Sequence, residues 1–399
     1  MSATATARAL SPSANKERAW TSIRFLSDPS EIEAEWKAFE QHAVATLHQS
    51  YRWISAWVRS AAPASGEQPL IAVARDTSGE IAFILPFARV RRFGMSFLSW
   101  LSQDQSAYNI GLYRRDVIDR LDADHLHAIF AEIRKAHPEI CGALLTSQPL
   151  EWEGHRNPIA TLPFFERERC YSVPLRTSAD ALYAQRLSSD KRQDLRRQWR
   201  RLSETSAVAV DVTRTPEERQ AAVHTFFQQK TTRVAAEGRQ NLIDDPRIVT
   251  FYLELARSGG LELAALQAEG RPVATINGIA FKDRFYHLNG SIAETPLRRW
   301  SLGQLLIHDL IGRACARGLH HWDFGPGDGQ HKEYWHPEAL TTIDTFLAFK
   351  GRAYAVHAWM STAKKLREEL RARPGIWKAL KKGRAALRRN SGPRTPNAL

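Results

Sequence analysis

Cysteine is scarce in this chain: Cys141, Cys170 and Cys315 are the only three in 399 residues. An odd and widely spaced set offers neither a disulfide framework nor zinc-ligand spacing, and it suits a reducing compartment. Long apolar runs are missing too. The longest, such as Ile81 to Phe87, fall far short of the roughly 20 residues a spanning helix needs, and no basic N-terminal segment leads into an apolar stretch. The expectation is a cytoplasmic protein without a membrane span, at most peripheral to the inner membrane. Neither a Gly-x-Ser-x-Gly elbow nor a Walker-type phosphate loop occurs, which argues against a serine hydrolase or an NTPase. His320, His321 and His331 have no carboxylate or cysteine at a familiar ligand spacing, so no metal is expected. Acids are outnumbered by bases, 43 to 56, for a formal charge of +13. From Gly351 to Leu399 thirteen Lys or Arg face only Glu368 and Glu369, so this tail holds +11 of that excess and the rest is nearly neutral. A nucleic-acid protein with charge spread over its body is thereby disfavoured.

What is present is enough apolar sequence, 43%, to build real cores, and a length that calls for two of them. Residues 1–19, rich in Ala, Ser and Thr, read as a disordered leader. Two stretches then repeat one order of elements, which implies two units side by side, 20–170 and 171–350, before the tail at 351–399. The first has a strand at Ser22 to Leu26, helices at Glu31 to His42 and Tyr51 to Ser60, and strands at Leu70 to Arg75, Ile81 to Val90 and Phe97 to Leu101. A helix from Asp122 to His137 and a strand from Gly142 to Thr146 complete it. The second has a strand at Tyr171 to Pro174, a basic helix from Asp180 to Leu202 and a strand at Val208 to Val212. Two helices follow, started by Thr215-Pro216-Glu217-Glu218 and by Asp245-Pro246. A meander comes next: Leu261 to Gln267, Val273 to Phe281 and Phe285 to Ile292. It is followed by a helix from Leu302 to Arg317 stopped at Gly318, a strand at Trp322 to Phe324, a helical turn near Lys332 to Trp335 and a strand at Thr342 to Phe349. The tail reads as two basic amphipathic helices, either solvated or set against an anionic surface or partner.

The chemistry concentrates late in the chain. Asn289-Gly290-Ser291 ends a strand, and Trp300-Ser301-Leu302-Gly303-Gln304 starts a helix, a succession that can receive a phosphate on exposed amides. Ser301 either caps that helix or binds a phosphate oxygen. Three glycines and a proline in Asp323-Phe324-Gly325-Pro326-Gly327-Asp328-Gly329 mark an irregular loop on which polar groups can converge. There Asp323 or Asp328 can take a proton from an attacking amine or hydroxyl, and Tyr334 can give one to a leaving group. The structural alternative has Asp323 capping a turn, Lys332 paired with Asp328, and Tyr334 and Trp335 filling a core. Arg192, Arg196 and Arg200, four residues apart, share one helix face, either solvated or an anion-binding wall.

The run Lys191-Arg192-Gln193-Asp194-Leu195-Arg196-Arg197, the Ser301-Leu302-Gly303 helix start, and the Asp-x-x-x-Gly-Asp-x-x-x-Lys-x-x-Trp pattern from 323 through Lys332 to Trp335 resemble the CelD/BcsL-type acetyltransferases associated with cellulose biosynthesis. These share their fold with FemAB-like peptidoglycan transferases. The resemblance implies an α+β protein of tandem acyl-CoA N-acyltransferase (GNAT-like) modules, with mixed, mostly antiparallel sheets flanked by helices. It implies acyl transfer from acetyl-CoA or another acyl-CoA, without a metal, to a small-molecule or glycan amine or hydroxyl. The thioester carbonyl would meet backbone at Leu288, Asn289 and Gly290. Arg299, Ser301, Leu302, Gly303 and Gln304 would hold the nucleotide end, Arg299, Gly303 and Gln304 being a partial echo of the family's Arg/Gln-x-x-Gly-x-Gly/Ala loop. Arg192, Arg196, Lys230, Arg233 and Trp335 would face the acceptor, and Asp323, Asp328, Lys332 and Tyr334 would carry the catalysis. Lys230 and Arg233 stand where His before Arg is expected, and Gly329-Gln330-His331 replaces acidic and aromatic residues. The first unit lacks a comparable glycine at its long helix and is assigned support or acceptor binding. Two other functions fit the same units: a FemAB-like transferase drawing on aminoacyl-tRNA, in which the basic segments hold RNA phosphates, and a non-catalytic accessory of a membrane polysaccharide synthase.

Overall fold

The computed structural model describes residues 19–236 and 245–371. The expected leader, Ala19 apart, and the second tail helix lie outside the described residues. Twelve strands form the spine: β1 (Ser22–Leu26), β2 (Gln68–Arg75), β3 (Ile81–Arg92), β4 (Met95–Trp100), β5 (Ile140–Pro149), β6 (Phe165–Pro174), β7 (Val208–Val212), β8 (Glu262–Ala268), β9 (Arg271–Phe281), β10 (Arg284–Ile292), β11 (His321–Pro326) and β12 (Glu338–Ala348). With the short Leu112–Tyr113 on β3 they make one thirteen-stranded sheet in the order β1-β2-β3-β4-β5-β12-β6-β11-β10-β9-β8-β7. Only β4 with β5 and β10 with β11 run parallel; the other pairs are antiparallel.

The order records an exchange. Each half runs through a meander, a long helix and a strand parallel to the last meander strand. β6, which ends the first half, pairs with β11 of the second, and β12, which ends the second, pairs with β5 of the first. β6 and β12 also pair with each other, Leu340 opposite Cys170. The expected boundary between 170 and 171 falls inside β6.

Helices flank the sheet: α1 (Glu33–His42), α2 (Tyr51–Ser60), α3 (Ala123–Ala136), α4 (Ala179–Arg186), α5 (Ser189–Thr205), α6 (Pro216–Ala236), α7 (Pro246–Arg257), α8 (Leu302–Ala316) and α9 (Ala353–Arg371). Their limits follow from local chemistry. Thr215 Oγ1 accepts the Glu218 N–H at 3.2 Å while Glu218 accepts the Thr215 N–H at 3.2 Å, a reciprocal box that starts α6. Asp245 accepts the Arg247 N–H at the start of α7. Gly318 at φ +73° lets its own N–H reach Cys315 O and that of Leu319 reach Ala314 O, closing α8. The single basic helix expected from Asp180 to Leu202 is two, because the chain extends at Leu187 and Ser188, and Ser188 caps α5 through the Lys191 N–H.

One core spans the first half and the α6 and α7 side of the second, with Trp36, Trp53, Trp100, Phe226 and Phe251 fully buried. A second lies under α4, α5 and α8 around Trp322 and Trp335. The halves also meet through rings: Phe251 of α7 packs edge-on against Trp53 (4.9 Å) and Trp57 (5.1 Å) of α2.

Candidate functional site

β10 and β11 pair only at Arg284 with His321, Phe285 with Trp322 and Tyr286 with Asp323. Past that point their mutual ladder ends, although β10 runs on to Ile292 and β11 to Pro326. On its other edge β10 stays bonded to β9, and the register there slips. Asn277 opposes Asn289 while Gly278 opposes His287, so Leu288 is the extra residue of a bulge. A bulge bends and twists its strand, here at the place where β10 parts from β11. As a result His287, Leu288, Asn289 and Gly290 are all partly exposed in the interior of a wide sheet.

The first half contains the same parting and fills it. β4 and β5 pair only from Ser96 to Leu98. Beyond, fully buried Trp100 donates to Gln148, and Asn109 donates its backbone N–H to Ser147 O and its side-chain amide to Thr146 O. The helices differ in step with the gaps. α3 opens on a capping box built by Asp122, whose carboxylate already occupies the positive end of the helix. α8 opens on Ser301, which sits in the left-handed region (φ 49°, ψ 43°) and makes no side-chain cap. Of the two roles open to Ser301, the cap is thus not formed, its backbone being in the αL region. Gly303 brings that turn against the open end of β10: a Cβ there would stand 3.3 Å from Ile292 Cδ1. Leu302 is a buried anchor, and Gln304 donates to His331 O at 3.2 Å. Arg299 lies over the Trp300 ring at 4.8 Å. α5 packs on the Pro296–Trp300 turn and on α8, so half-buried Arg192 and exposed Arg196 stand on a helix beside this end of the gap.

From α6, Lys230 Nζ donates to Gly290 O at 3.2 Å, joining the bulge to the opposite face, and Arg233 lies one turn further along the helix. The loop residues are placed otherwise than their spacing implied. Asp323 is buried, and its carboxylate accepts from Tyr108 OH (2.9 and 3.0 Å), Arg284 (2.9 Å) and the Gly325 N–H (2.7 Å). Burial raises its carboxyl above the usual range against these donors. With both oxygens engaged, Asp323 serves as an anchor between the halves; removing one member of such a pair costs about 3–5 kcal/mol. Lys332 does not pair with Asp328. Its buried ammonium donates to Gly325 O (3.1 Å), Pro326 O (2.7 Å) and Gly327 O (2.8 Å), fastening the glycine loop, and burial holds it below the usual lysine range. Asp328 is exposed and accepts from Tyr171 OH at 2.6 Å. Tyr334 carries Lys191 Nζ 4.0 Å over its ring. Trp335 is fully buried against Tyr183 and His308, where it packs the second core.

Two residues escaped the sequence reading. His287 stands at the root of the gap with its ring 5.8 Å from Trp322 and 6.1 Å from Phe324, and its Nδ1 has no hydrogen-bond partner. Burial among these rings pushes its pKa down to about 3, so the imidazole is neutral at physiological pH. Asn277 is fully buried opposite Asn289, and neither of its amide atoms is bonded, whereas Asn289 donates to Tyr252 OH at 2.7 Å. An unsatisfied buried polar group costs roughly 1–3 kcal/mol, and natural cores hold few of them. A lone His and two facing Asn in otherwise apolar strands were the available signal.

Two cavities among the described residues lie elsewhere. One of about 470 Å³ sits under the C-terminal half of α8, between Leu310, Ala314 and Trp322. Another, of about 200 Å³, lies between the halves at Tyr108, Cys170 and Arg284. Burial pushes the Cys170 thiol up to about 12, which removes it as a nucleophile at neutral pH. Among the described residues no three His, Cys, Asp or Glu converge as a metal site, and no helix is long and apolar enough to cross a membrane.

A meander, a parted parallel pair and a helix whose N-terminus faces the parting, present twice, are the α+β architecture of the GNAT fold. Residues 189–333 match the acetyltransferase (GNAT) domain family. The chain is similar in fold to the crystal structure of FemX, at 10% identity and TM-score 0.57 over 81% of this chain and 97% of that one. It is likewise similar to a conserved protein of unknown function from Bacteroides thetaiotaomicron VPI-5482 (12%, 0.56, 82% and 100%) and to L-PGS from Bacillus licheniformis (12%, 0.52, 85% and 97%). Identities this low speak to the fold alone. No curated protein matches the sequence.

Proposed function

We propose that this protein is an acyltransferase moving an acetyl or longer acyl group from acyl-CoA to an amine or hydroxyl of a cell-envelope or exopolysaccharide-related acceptor, as the CelD/BcsL resemblance implies. The single observation that carries this reading is the parting of β10 from β11 with its edge half-exposed, next to an uncapped helix start, while the equivalent parting in the first half is filled. Backbone N–H groups freed by the bulge at Leu288 are fixed donors for the charge that gathers on a thioester oxygen, and fixed donors need no reorganisation during reaction. The acceptor's lone pair attacks the carbonyl carbon, the C–S bond breaks, and the acceptor's proton passes to the protein while the thiolate is protonated. Of the two loop carboxylates, Asp328 is the one accessible to take that proton, since Asp323 is fully engaged; Tyr334 is the donor in the same loop.

Titration calorimetry with CoA, acetyl-CoA and longer acyl-CoAs tests the reading. Binding is expected, with at least tenfold weaker affinity in Gly290→Val at unchanged melting temperature, and Asp328→Asn is expected to lower kcat roughly 10²-fold. No heat with any thioester, together with transfer from aminoacyl-tRNA, would move the donor to the ester class; no transfer from either would end the enzymatic reading.

A further inference from the structure

Helix α9 is apolar on two sides, and among the described residues one of them packs on β12 while the other is exposed. Its inner side meets β12: Ala353 is buried, Val356 and Met360 are partly covered, and Lys364 Nζ bonds Asp344 Oδ2 at 2.5 Å. Its outer side carries Ala355, Trp359 and Ala363, four residues apart and all exposed, Trp359 by 54%. Such a stripe belongs against something apolar, because a helix facing water on that side would show polar residues there. The tip of the β3–β4 hairpin continues the stripe. Phe93 is 50% exposed, held at φ +53°, and its ring lies 6.0 Å from that of Trp359. Among the described residues these two and Tyr354, near the start of α9, are three of the four exposed large hydrophobic side chains, so exposure of this kind gathers at one end of the molecule.

The surround is basic. Arg91 and Arg92 flank Phe93 and are exposed, as is Arg352 at the start of α9. By sequence alone, the segment from Gly351 onward carries a net +11 with Arg352 included, against Glu368 and Glu369 alone. Aromatic rings at a rim of cations match a bilayer interface, where rings settle at headgroup depth and each Lys or Arg near an anionic surface adds about 1 kcal/mol. A protein partner would demand a shaped pocket, whereas a hairpin tip and a convex helix face offer a protrusion.

We propose that the Phe93 hairpin tip and the outer face of α9 form a docking surface for an anionic lipid bilayer. The surface stands apart from the acyl-transfer cleft. Leu340 pairs with Cys170 near the cleft end of β12 and Ala348 with Gly142 near the hairpin end, a separation of roughly 25 Å along the strand. Docking therefore leaves the cleft open.

The test is co-sedimentation of the full chain with phosphatidylcholine vesicles with or without about 30% phosphatidylglycerol, in low and high salt. Binding is expected only with the anionic lipid and is expected to weaken in salt. The double variant Phe93→Ser, Trp359→Ser should partition at least tenfold less while keeping its melting temperature and its transferase activity. Quenching of tryptophan fluorescence by brominated lipid should fall in Trp359→Phe. Equal binding to both vesicles, no binding to either, or unchanged partition of the double variant would overturn the proposal. So would a wild-type dimer that the double variant converts to monomer, since the patch would then join two copies of this chain.

Discussion

Glu67 is a carboxylate placed where the fold prefers an acid. It accepts from Trp57 Nε1 at 2.8 Å and from the Ser102 N–H at 3.0 Å, and burial raises its pKa to about 7 from an ordinary 4.5. Because the folded-state value lies above the unfolded one, its contribution is complete below about pH 4.5 and is lost as pH rises through about 7. Glu67→Gln keeps both acceptor contacts and removes the titration. Its stability should therefore gain on the wild type between about pH 5 and pH 8, by roughly 3 kcal/mol at most. Denaturant unfolding at several pH values checks this, and a constant difference would show that Glu67 stays ionised throughout. Asp323 and Lys332 teach a related lesson about reading residues one at a time. Both occur in a loop dense with functional types, and both are spent on structure, because their partners, Tyr108 and three consecutive loop carbonyls, are set by folding and leave no mark on local spacing. His287 was invisible for the converse reason: a histidine inside a strand pattern gains meaning only when the neighbouring strand has left it.

At the scale of elements the sequence was legible wherever caps and periodicity decide the outcome. β1 and α2 stand at their expected residues, the meander of β8, β9 and β10 is within two residues, and Thr215, Asp245 and Gly318 set the helix limits they signalled. The first part of β6, from Phe165 to Cys170, was not legible, since Glu166, Arg167, Glu168 and Arg169 do not look like a central strand. They lie there because β12 claims one edge of this stretch, while β11 pairs with β6 only from Cys170 onward. The bulge at Leu288 was equally silent, a register property that belongs to two strands jointly. It also offers a sharp test. Deleting Leu288 should restore regular pairing of β9 with β10 and abolish acyl transfer while the chain still folds, judged by kcat alongside circular dichroism. Full activity in the deletion would dissociate the bulge from the chemistry.

For the whole molecule, the exchange of β6 and β12 binds the halves more tightly than a linker does. Each half reaches its own strand complement only by borrowing, and the Asp323 network and the Phe251 ring contacts cross the same seam. Heating should therefore produce one calorimetric transition, with van't Hoff and calorimetric enthalpies in agreement. Two resolved transitions would mean that the halves are independent despite the shared sheet.

The order of synthesis gives this exchange a further consequence. The ribosome releases the first half long before β12 exists, so the edge of β5 beyond Gly142 stays bare until β12 itself has emerged. A growing chain in that condition presents a naked ladder to its neighbours. The first half is consequently sealed along β5 only by the strand that ends the second.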